Sequence, residues 1–208
     1  TFDVDSDWNF GSDLGGLTIS KASNTERVTL SSGIDIAGSI TVYGEGITVA
    51  SNVTIAKSSG SDATLTLKAR REISLNSGVE ISSTSGALNV VLWSDPELTG
   101  FGSIRASSGT TIDTNGGDVV MGSGSDPRAT PVDKSAPITL EGATVLARGG
   151  DVLIRGGEGS GMMMSRSIGL LSNTSISTTS TGVVSLEGQQ MSFDAALISS
   201  VDGDITLS

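Results

Sequence analysis

Short runs of alternating apolar and polar residues recur along this chain, and turn-forming Gly, Asn, Asp and Ser residues separate them. Residues 104–121 contain three such runs, around Ile104, Ile112 and Val119, divided by glycine-containing turns. Alternation over a few residues is typical of a half-buried β-strand, and the separating residues are those that tolerate tight turns. No run has the i, i+3, i+4, i+7 spacing of an amphipathic helix. Each strand alone carries too little apolar surface to form a core.

The three-strand pattern repeats seven times from Val28 onward. The first strands of the seven units are predicted at Val28, Ile47, Ile73, Ile104, Ile138, Ile168 and Met191. The second strands are predicted around Ile36, Ile55, Ile81, Ile112, Val145, Ile176 and Ile198. The third strands are predicted around Ile40, Leu65, Leu88, Val119, Val152, Val183 and Ile205. The steps from first to second strand are 8 or 7 residues, so the inside of each unit is more regular than the overall period.

This repetition predicts an all-β solenoid of about seven coils, each with three short strands. Equivalent apolar residues of successive coils would stack on one another and pair in parallel. Residues 28–208 form the repeats, and residues 1–27 are predicted to be an irregular N-terminal cap or a first coil. We expect a single domain over residues 1–208.

Nearly all of the length variation falls after the third strand. Three insertions, residues 93–103, 122–137 and 155–167, follow the third strands of successive units. They would therefore leave the solenoid at one corner and lie beside one another on one edge. We refer to them as the corner loops.

The composition limits the chemistry that this chain can perform. A formal net charge of −11 argues against nucleic acid or anionic lipid as a partner, because each phosphate contact needs a Lys or Arg. The chain has no Cys and no His, which excludes disulfides, thiol catalysis, a Ser-His-Asp triad and a His-based metal site. No apolar run approaches the length of a membrane span, so membrane insertion is not expected. No cofactor is expected either.

The segment Leu88-Asn-Val-Val-Leu-Trp-Ser-Asp95 with residues 102–121, and the Gly-Gly-Asp turn within residues 147–154, resemble the repeat region of filamentous-haemagglutinin-like exoproteins. These are large adhesins that Gram-negative bacteria secrete by two-partner secretion. The resemblance covers residues 28–208 and implies a right-handed parallel β-helix, secreted or at the cell surface. It also implies adhesion to a host or neighbouring-cell surface protein or glycan, and an outer-membrane transporter as the partner during secretion. The Asn-Pro-x-Gly motifs of that family's secretion domain do not occur here, so this chain is expected to be a piece of the passenger shaft.

Three aspartates precede third strands at one repeated position. Asp118, Asp151 and Asp204 each follow a glycine, and Asp118 and Asp151 belong to adjacent coils. Carboxylates on the flank of a β-helix act as general acid and base in some polysaccharide lyases and hydrolases, and two of them could share a cation. The favoured interpretation is structural: Asp in such a turn accepts backbone hydrogen bonds. Ala87 and Gly182 are predicted to occupy the same position in two other units, and neither carries a carboxylate, which supports the structural interpretation.

The corner loops are the better candidates for binding. Their large apolar residues are Trp93, Leu98, Phe101, Met162, Met163 and Met164. Loops on a regular scaffold commonly carry function, and Met and aromatic side chains make adaptable contacts. These residues either form an exposed contact patch or fold back over the flank of the rod. The sequence thus leaves three functions open: an adhesin shaft, a carbohydrate-active enzyme, and a binding module whose loops are the whole function.

Overall fold

All regular structure in the described part of the chain is β-strand. A computed structural model describes residues 2–4, 8–9, 14–129, 136–157 and 167–208. In chain order the strands are β1 (Phe2–Val4), β2 (Trp8–Asn9), β3 (Gly16–Ile19), β4 (Val28–Leu30), β5 (Ile34–Asp35), β6 (Ser39–Gly44), β7 (Ile47–Val49), β8 (Thr54–Lys57), β9 (Ala63–Ala69), β10 (Glu72–Leu75), β11 (Glu80–Ser83), β12 (Leu88–Ser94), β13 (Ser103–Ala106), β14 (Thr111–Asp113), β15 (Val119–Ser123), β16 (Ile138–Glu141), β17 (Thr144–Leu146), β18 (Val152–Gly156), β19 (Ile168–Leu171), β20 (Ser175–Thr178), β21 (Val184–Gly188), β22 (Met191–Phe193), β23 (Leu197–Ser200) and β24 (Ile205–Leu207).

The strands form three parallel sheets of eight strands each. Every third strand belongs to the same sheet, so β1, β4, β7 and their successors form the first sheet, and the series from β2 and β3 form the second and third. Three consecutive strands therefore make one coil: β1–β3 are coil 1 and β22–β24 are coil 8. The predicted parallel β-helix is confirmed, and the strands at residues 2–19 add one coil ahead of the seven predicted from Val28.

The predicted vertical alignment of aliphatic residues is confirmed in the first and second sheets. All seven residues predicted to begin the first strands lie in one register, from Val28 opposite Ile47 to Ile168 opposite Met191. In the second sheet Ile81 is opposite Ile112, and Val145 follows in the same row. Equivalent aliphatic residues of successive coils therefore lie directly over one another.

Three of the predicted positions were wrong. Ile34, not Ile36, is opposite Ile55, because coil 2 has a shorter connection and β5 has only two residues. Ile36 is buried because it is two residues further along and faces the same side. The other two errors lie in the third sheet.

In the third sheet the predicted row contains Val90 and not Leu88, and it contains Val184 and not Val183. The longer strand β12 begins at Leu88, so that Val90 is opposite Val119. The turn from Thr178 to Gly182 is one residue longer than that from Thr114 to Gly117, which moves Val184 into register with Val152. A shift of one residue exchanges the two faces of a strand, and it is Val184 that is buried.

The core is a continuous column of Ile, Val and Leu side chains. Strand β9 shows the pattern clearly, with Ala63, Leu65, Leu67 and Ala69 buried and the residues between them partly exposed. Burying one such aliphatic side chain contributes about 1.5–3 kcal/mol relative to exposure. Because the column is built from one layer per coil, its stability depends on contacts between neighbouring coils.

Coil 8 shows how far burial depends on having a neighbour on both sides. Leu186 and Val184 of coil 7 are completely buried, whereas their partners Leu207 and Ile205 in coil 8 are 51% and 46% exposed. The residues have the same register and similar chemistry. What differs is that coil 7 lies between two described coils and coil 8 packs against one.

Buried hydroxyls close the corner between the second and third sheets. Thr114 Oγ1 donates to the Gly117 carbonyl at 2.5 Å, Ser83 Oγ to the Gly86 carbonyl at 2.9 Å, and Thr178 Oγ1 to the Gly150 carbonyl at 2.8 Å. Lys57 takes this place in coil 3, where its buried Nζ donates to the carbonyls of Ser59 (3.0 Å) and Ser85. These bonds satisfy turn carbonyls that the solenoid removes from water.

Candidate functional site

The corner loops leave the solenoid at one corner, as predicted. The described connections from the third to the first sheet in coils 4, 5 and 6 are residues 95–102, 124–129 with 136–137, and 157 with 167. They are in contact: the backbone N–H of Gly124 donates to the Asp95 carbonyl at 3.0 Å, and that of Gly157 to the Ala136 carbonyl at 3.1 Å. The described parts of the loops thus lie along one edge of the rod.

A buried aspartate organises the loop of coil 4. Asp95 is 1% exposed, and its carboxylate accepts hydrogen bonds from the backbone N–H groups of Thr99 (2.8 Å) and Gly100 (2.7 Å). The Thr99 hydroxyl donates a further bond at 2.9 Å. A carboxylate held in this way fixes the loop as a tight turn.

Two of the apolar loop residues predicted as contact sites are exposed. Leu98 is 37% exposed and Phe101 is 52% exposed. The guanidinium of Arg71 lies 5.6 Å from the centre of the Phe101 ring. Phe101 is therefore presented at the surface beside a cation; that it binds a partner stays a prediction. Met162, Met163 and Met164 lie outside the described residues.

Trp93 is not a loop residue, contrary to the prediction. It belongs to strand β12, where it faces outward and is half-buried. Its Nε1–H donates to the Gly124 carbonyl at 2.6 Å, so the indole holds the loop of the next coil. Gly122, opposite Trp93, allows this loop to approach, because a Cβ there would lie 2.4 Å from the Pro127 carbonyl oxygen.

Asp118 and Asp151 are vertical neighbours, as predicted, and both accept backbone hydrogen bonds. Oδ1 of Asp118 accepts from the N–H of Asp151 at 3.0 Å, and Oδ1 of Asp151 accepts from the N–H of Val183 at 2.8 Å. Asn89 continues the series on the other side, accepting from the N–H of Asp118 at 2.9 Å. The register places Asn89 and Val183 at this position, whereas Ala87 and Gly182 were predicted there.

Asp118 also has a cation nearby. Arg128 lies 3.5 Å from Oδ2 of Asp118, and both side chains are partly exposed. Among the described residues, no three Asp or Glu side chains are grouped closely enough to hold a metal ion. The geometry is that of side chains bracing one coil against the next.

A second group of side chains, which the sequence reasoning missed, lies on the outer face of the third sheet. Tyr43, Lys68 and Trp93 occupy one row on coils 2, 3 and 4. Lys68 Nζ lies 3.3 Å from the centre of the Trp93 ring. The same 25-residue spacing separates Tyr43 from Lys68 and Lys68 from Trp93, which is the signal that could have identified the row.

A cavity of about 280 Å³ lies over this row. Its floor includes Tyr43 and Lys68, and Pro96 of the coil 4 loop and Ala22 form parts of its walls. Burial lowers the pKa of the Lys68 amine below its ordinary value. Aromatic, cationic and acidic side chains, those of Tyr43, Lys68, Arg70 and Glu97, thus line a single concave space.

No protein-family model, curated protein or solved structure matches this chain significantly. The described residues contain no helix long and apolar enough to cross a membrane. The family resemblance seen in the repeats therefore stays a prediction from the sequence.

Proposed function

We propose that this chain is a shaft segment of a secreted or surface-exposed bacterial adhesin, in which the coils provide a rigid rod and the corner loops mediate attachment. The observation that carries the proposal is that the described parts of three successive corner loops lie beside one another on one edge of the solenoid. In coils 2, 3 and 7 the same corner is closed by two residues, 45–46, 70–71 and 189–190, whereas in coil 1 the connection has eight, residues 20–27. Two residues are therefore enough to make this turn, and the longer loops of coils 4 to 6 are not required by it.

The arrangement of the loops supports attachment. Each loop is fixed to the next by backbone bonds, and Leu98 and Phe101 are presented at the surface rather than against the flank. The described part of the coil 4 loop is held by the hydrogen bonds of Asp95, so its contact groups Leu98 and Phe101 keep a fixed position, which reduces the entropy lost on binding. The partner would be a protein or glycan on a host or neighbouring cell. Secretion would use an outer-membrane transporter.

The test is to shorten the loops and measure attachment to cells. In one variant residues 95–102 are replaced by Gln-Gln, the connection used between β21 and β22; in a second variant residues 124–137 are replaced in the same way. Beads coated with the chain should bind cells, and beads coated with either variant should bind less, while the β-sheet circular dichroism is retained. Equal attachment by folded variants would contradict a role for the loops.

An enzyme acting on polysaccharides is the alternative that the sequence left open. It would use Asp118 and Asp151 as acid and base, but one oxygen of each is already taken up by a backbone N–H of the neighbouring coil. A depolymerisation assay on acidic and neutral polysaccharides compares the chain with Asp118→Asn and Asp151→Asn. Activity that both substitutions remove would favour the enzyme.

A further inference from the structure

The outer row of the third sheet combines an aromatic residue, a cation and a second aromatic residue on three successive coils. Tyr43 is opposite Lys68, and Lys68 is opposite Trp93. With Nζ 3.3 Å from the ring centre, the Lys68 ammonium is attracted by the face of the indole. This contact holds the cation at one place instead of leaving it free to move with its long side chain.

Both walls of the cavity over this row are held by hydrogen bonds. On one side Asn24 Nδ2 donates to the carbonyls of Glu26 at 3.0 Å and Tyr43 at 3.4 Å, which ties the segment containing Ala22 to the sheet. On the other side the buried Asp95 carboxylate fixes the loop that carries Pro96 and Glu97. The cavity is thus formed before any ligand arrives, and its volume of about 280 Å³ is just below the range typical of small-molecule sites, which suits a small ligand.

The charges in the cavity are unevenly matched. Arg70 is paired with Glu97 at 3.0 Å and lies 3.7 Å from Glu45. Lys68, in contrast, has no carboxylate within 4.0 Å among the described residues, and its contact is with the Trp93 ring. A partly desolvated cation with no anion beside it is costly, and a ligand carrying a negative charge would relieve that cost.

A second cavity differs in this respect. It measures about 190 Å³ and lies on the first sheet, where Glu72 and Arg105 are among its lining residues. Glu72 is paired with Arg27, and Arg105 lies 3.7 Å from Glu141. The charges there are satisfied by the protein itself.

The remaining lining groups fit a sugar. Tyr43 provides a ring and a hydroxyl that makes no hydrogen bond within the described residues, and Glu97 provides carboxylate oxygens that accept bonds from hydroxyls. A hexuronic acid combines a compact ring, several hydroxyls and one carboxylate. We propose that the cavity binds a hexuronic acid unit, with the carboxylate at Lys68 and the sugar ring at Tyr43.

This proposal deepens the adhesive function proposed above, but it is tested without cells, so the two fail separately. Sodium D-glucuronate, D-glucose and sodium acetate are each titrated into the folded chain by calorimetry. Glucuronate should bind saturably. Glucose, which lacks the carboxylate, and acetate, which lacks the sugar ring and its hydroxyls, should each bind at least about tenfold more weakly. Added salt should weaken glucuronate binding.

Substitutions locate the site. Lys68→Gln should lower glucuronate affinity at least about tenfold, whereas Lys68→Arg, which keeps the charge, should retain most of it. Arg105→Gln removes the same charge from the first sheet and should leave the affinity unchanged. The proposal is overturned by a lack of saturable glucuronate binding, by equal binding of acetate or glucose, or by undiminished binding to folded Lys68→Gln.

Discussion

The backbone N–H of Asp151 donates a 3.0 Å hydrogen bond to Oδ1 of Asp118 on the preceding coil. The same relationship links Asn89 to Asp118, with an amide oxygen in place of the carboxylate. A side chain on the preceding coil thus accepts a hydrogen bond from the backbone of the residue just before β15, β18 and β21. This use of the aspartates is structural, and it does not depend on their charge.

The first prediction separates hydrogen bonding from acid–base chemistry at Asp118. Asp118→Asn keeps an acceptor oxygen, as Asn89 already demonstrates, and should change the free energy of unfolding by less than about 0.5 kcal/mol. Asp118→Ala leaves the Asp151 N–H without this acceptor and should cost about 1 kcal/mol. Denaturant unfolding monitored by circular dichroism measures both values. Equal losses for the two variants would show that the charge, and not the acceptor, matters.

The second prediction concerns the aliphatic column. Ile112 is 1% exposed and lies between Ile81 and Val145. Ile112→Ala should lower the free energy of unfolding by about 2–5 kcal/mol, because the rigid coils on both sides cannot close the resulting cavity. The neighbouring outward residue provides the control: Thr111→Ala should change it by less than about 0.5 kcal/mol. Similar effects at the two positions would contradict the inward and outward assignment.

The third prediction concerns close approach between coils. A Cβ added at Gly150 would lie 2.2 Å from the carbonyl oxygen of Gly117, and this backbone cannot move without disturbing the ladder. Gly150→Ala should therefore destabilise the protein by about 1–3 kcal/mol. At Gly169, also buried, the nearest atom to an added Cβ is 3.8 Å away, so Gly169→Ala should have little effect. Thermal unfolding of the two variants measures the difference.

The fourth prediction concerns the pH dependence of stability. Burial lowers the pKa of the Lys57 amine below its ordinary value of 10.5, with the nearby Asp62 carboxylate partly opposing the shift. Between the lowered pKa and 10.5 the unfolded chain holds more protons than the folded chain, so the contribution of Lys57 to stability rises with pH across that window. Below the window its contribution is constant and least favourable.

Lys57→Thr provides the comparison, because Thr114 and Thr178 fill the equivalent place with a hydroxyl. The free energy of unfolding of the original chain, minus that of Lys57→Thr, should increase as the pH is raised toward 10.5. Denaturant titrations at a series of pH values measure this difference. A difference that stays constant or falls with pH would contradict a depressed pKa.

The sequence was sufficient to predict the coils because aliphatic residues recur at nearly constant steps within each unit. It misplaced Val183 because the turn after Thr178 contains one additional residue, and periodicity alone cannot show where a turn takes up extra length. Trp93 was assigned to a corner loop for a related reason: strand β12 is two residues longer than the pattern required. Strand ends are set by pairing with neighbouring coils, which a single sequence does not display.

The candidate site was less predictable than the fold. Lys68 became a candidate binding residue because its amine lies over the Trp93 ring. The two residues are neighbours only through the register of β9 and β12, which the sequence alone does not display. The roles of Asp95 and Asn24 depend on hydrogen bonds to loop backbone, which no motif in the sequence indicates. The position of Asp118 beside Asp151 was predictable, because both follow the same Gly-Gly turn in adjacent units.

The central claim, that equivalent residues of successive coils are vertical neighbours, is tested most directly by cysteine cross-linking, since the chain has no Cys of its own. Thr111 is opposite Thr144, and Thr144 is opposite Ser175, all on the outward side of the second sheet. Adjacent parallel strands are about 4.8 Å apart, within the Cα range of a disulfide, and two coils are about twice that distance, beyond it. Mild oxidation should therefore join the pair Thr111→Cys with Thr144→Cys and leave the pair Thr111→Cys with Ser175→Cys reduced. A disulfide in the second pair, or none in the first, would contradict the stacked-coil structure.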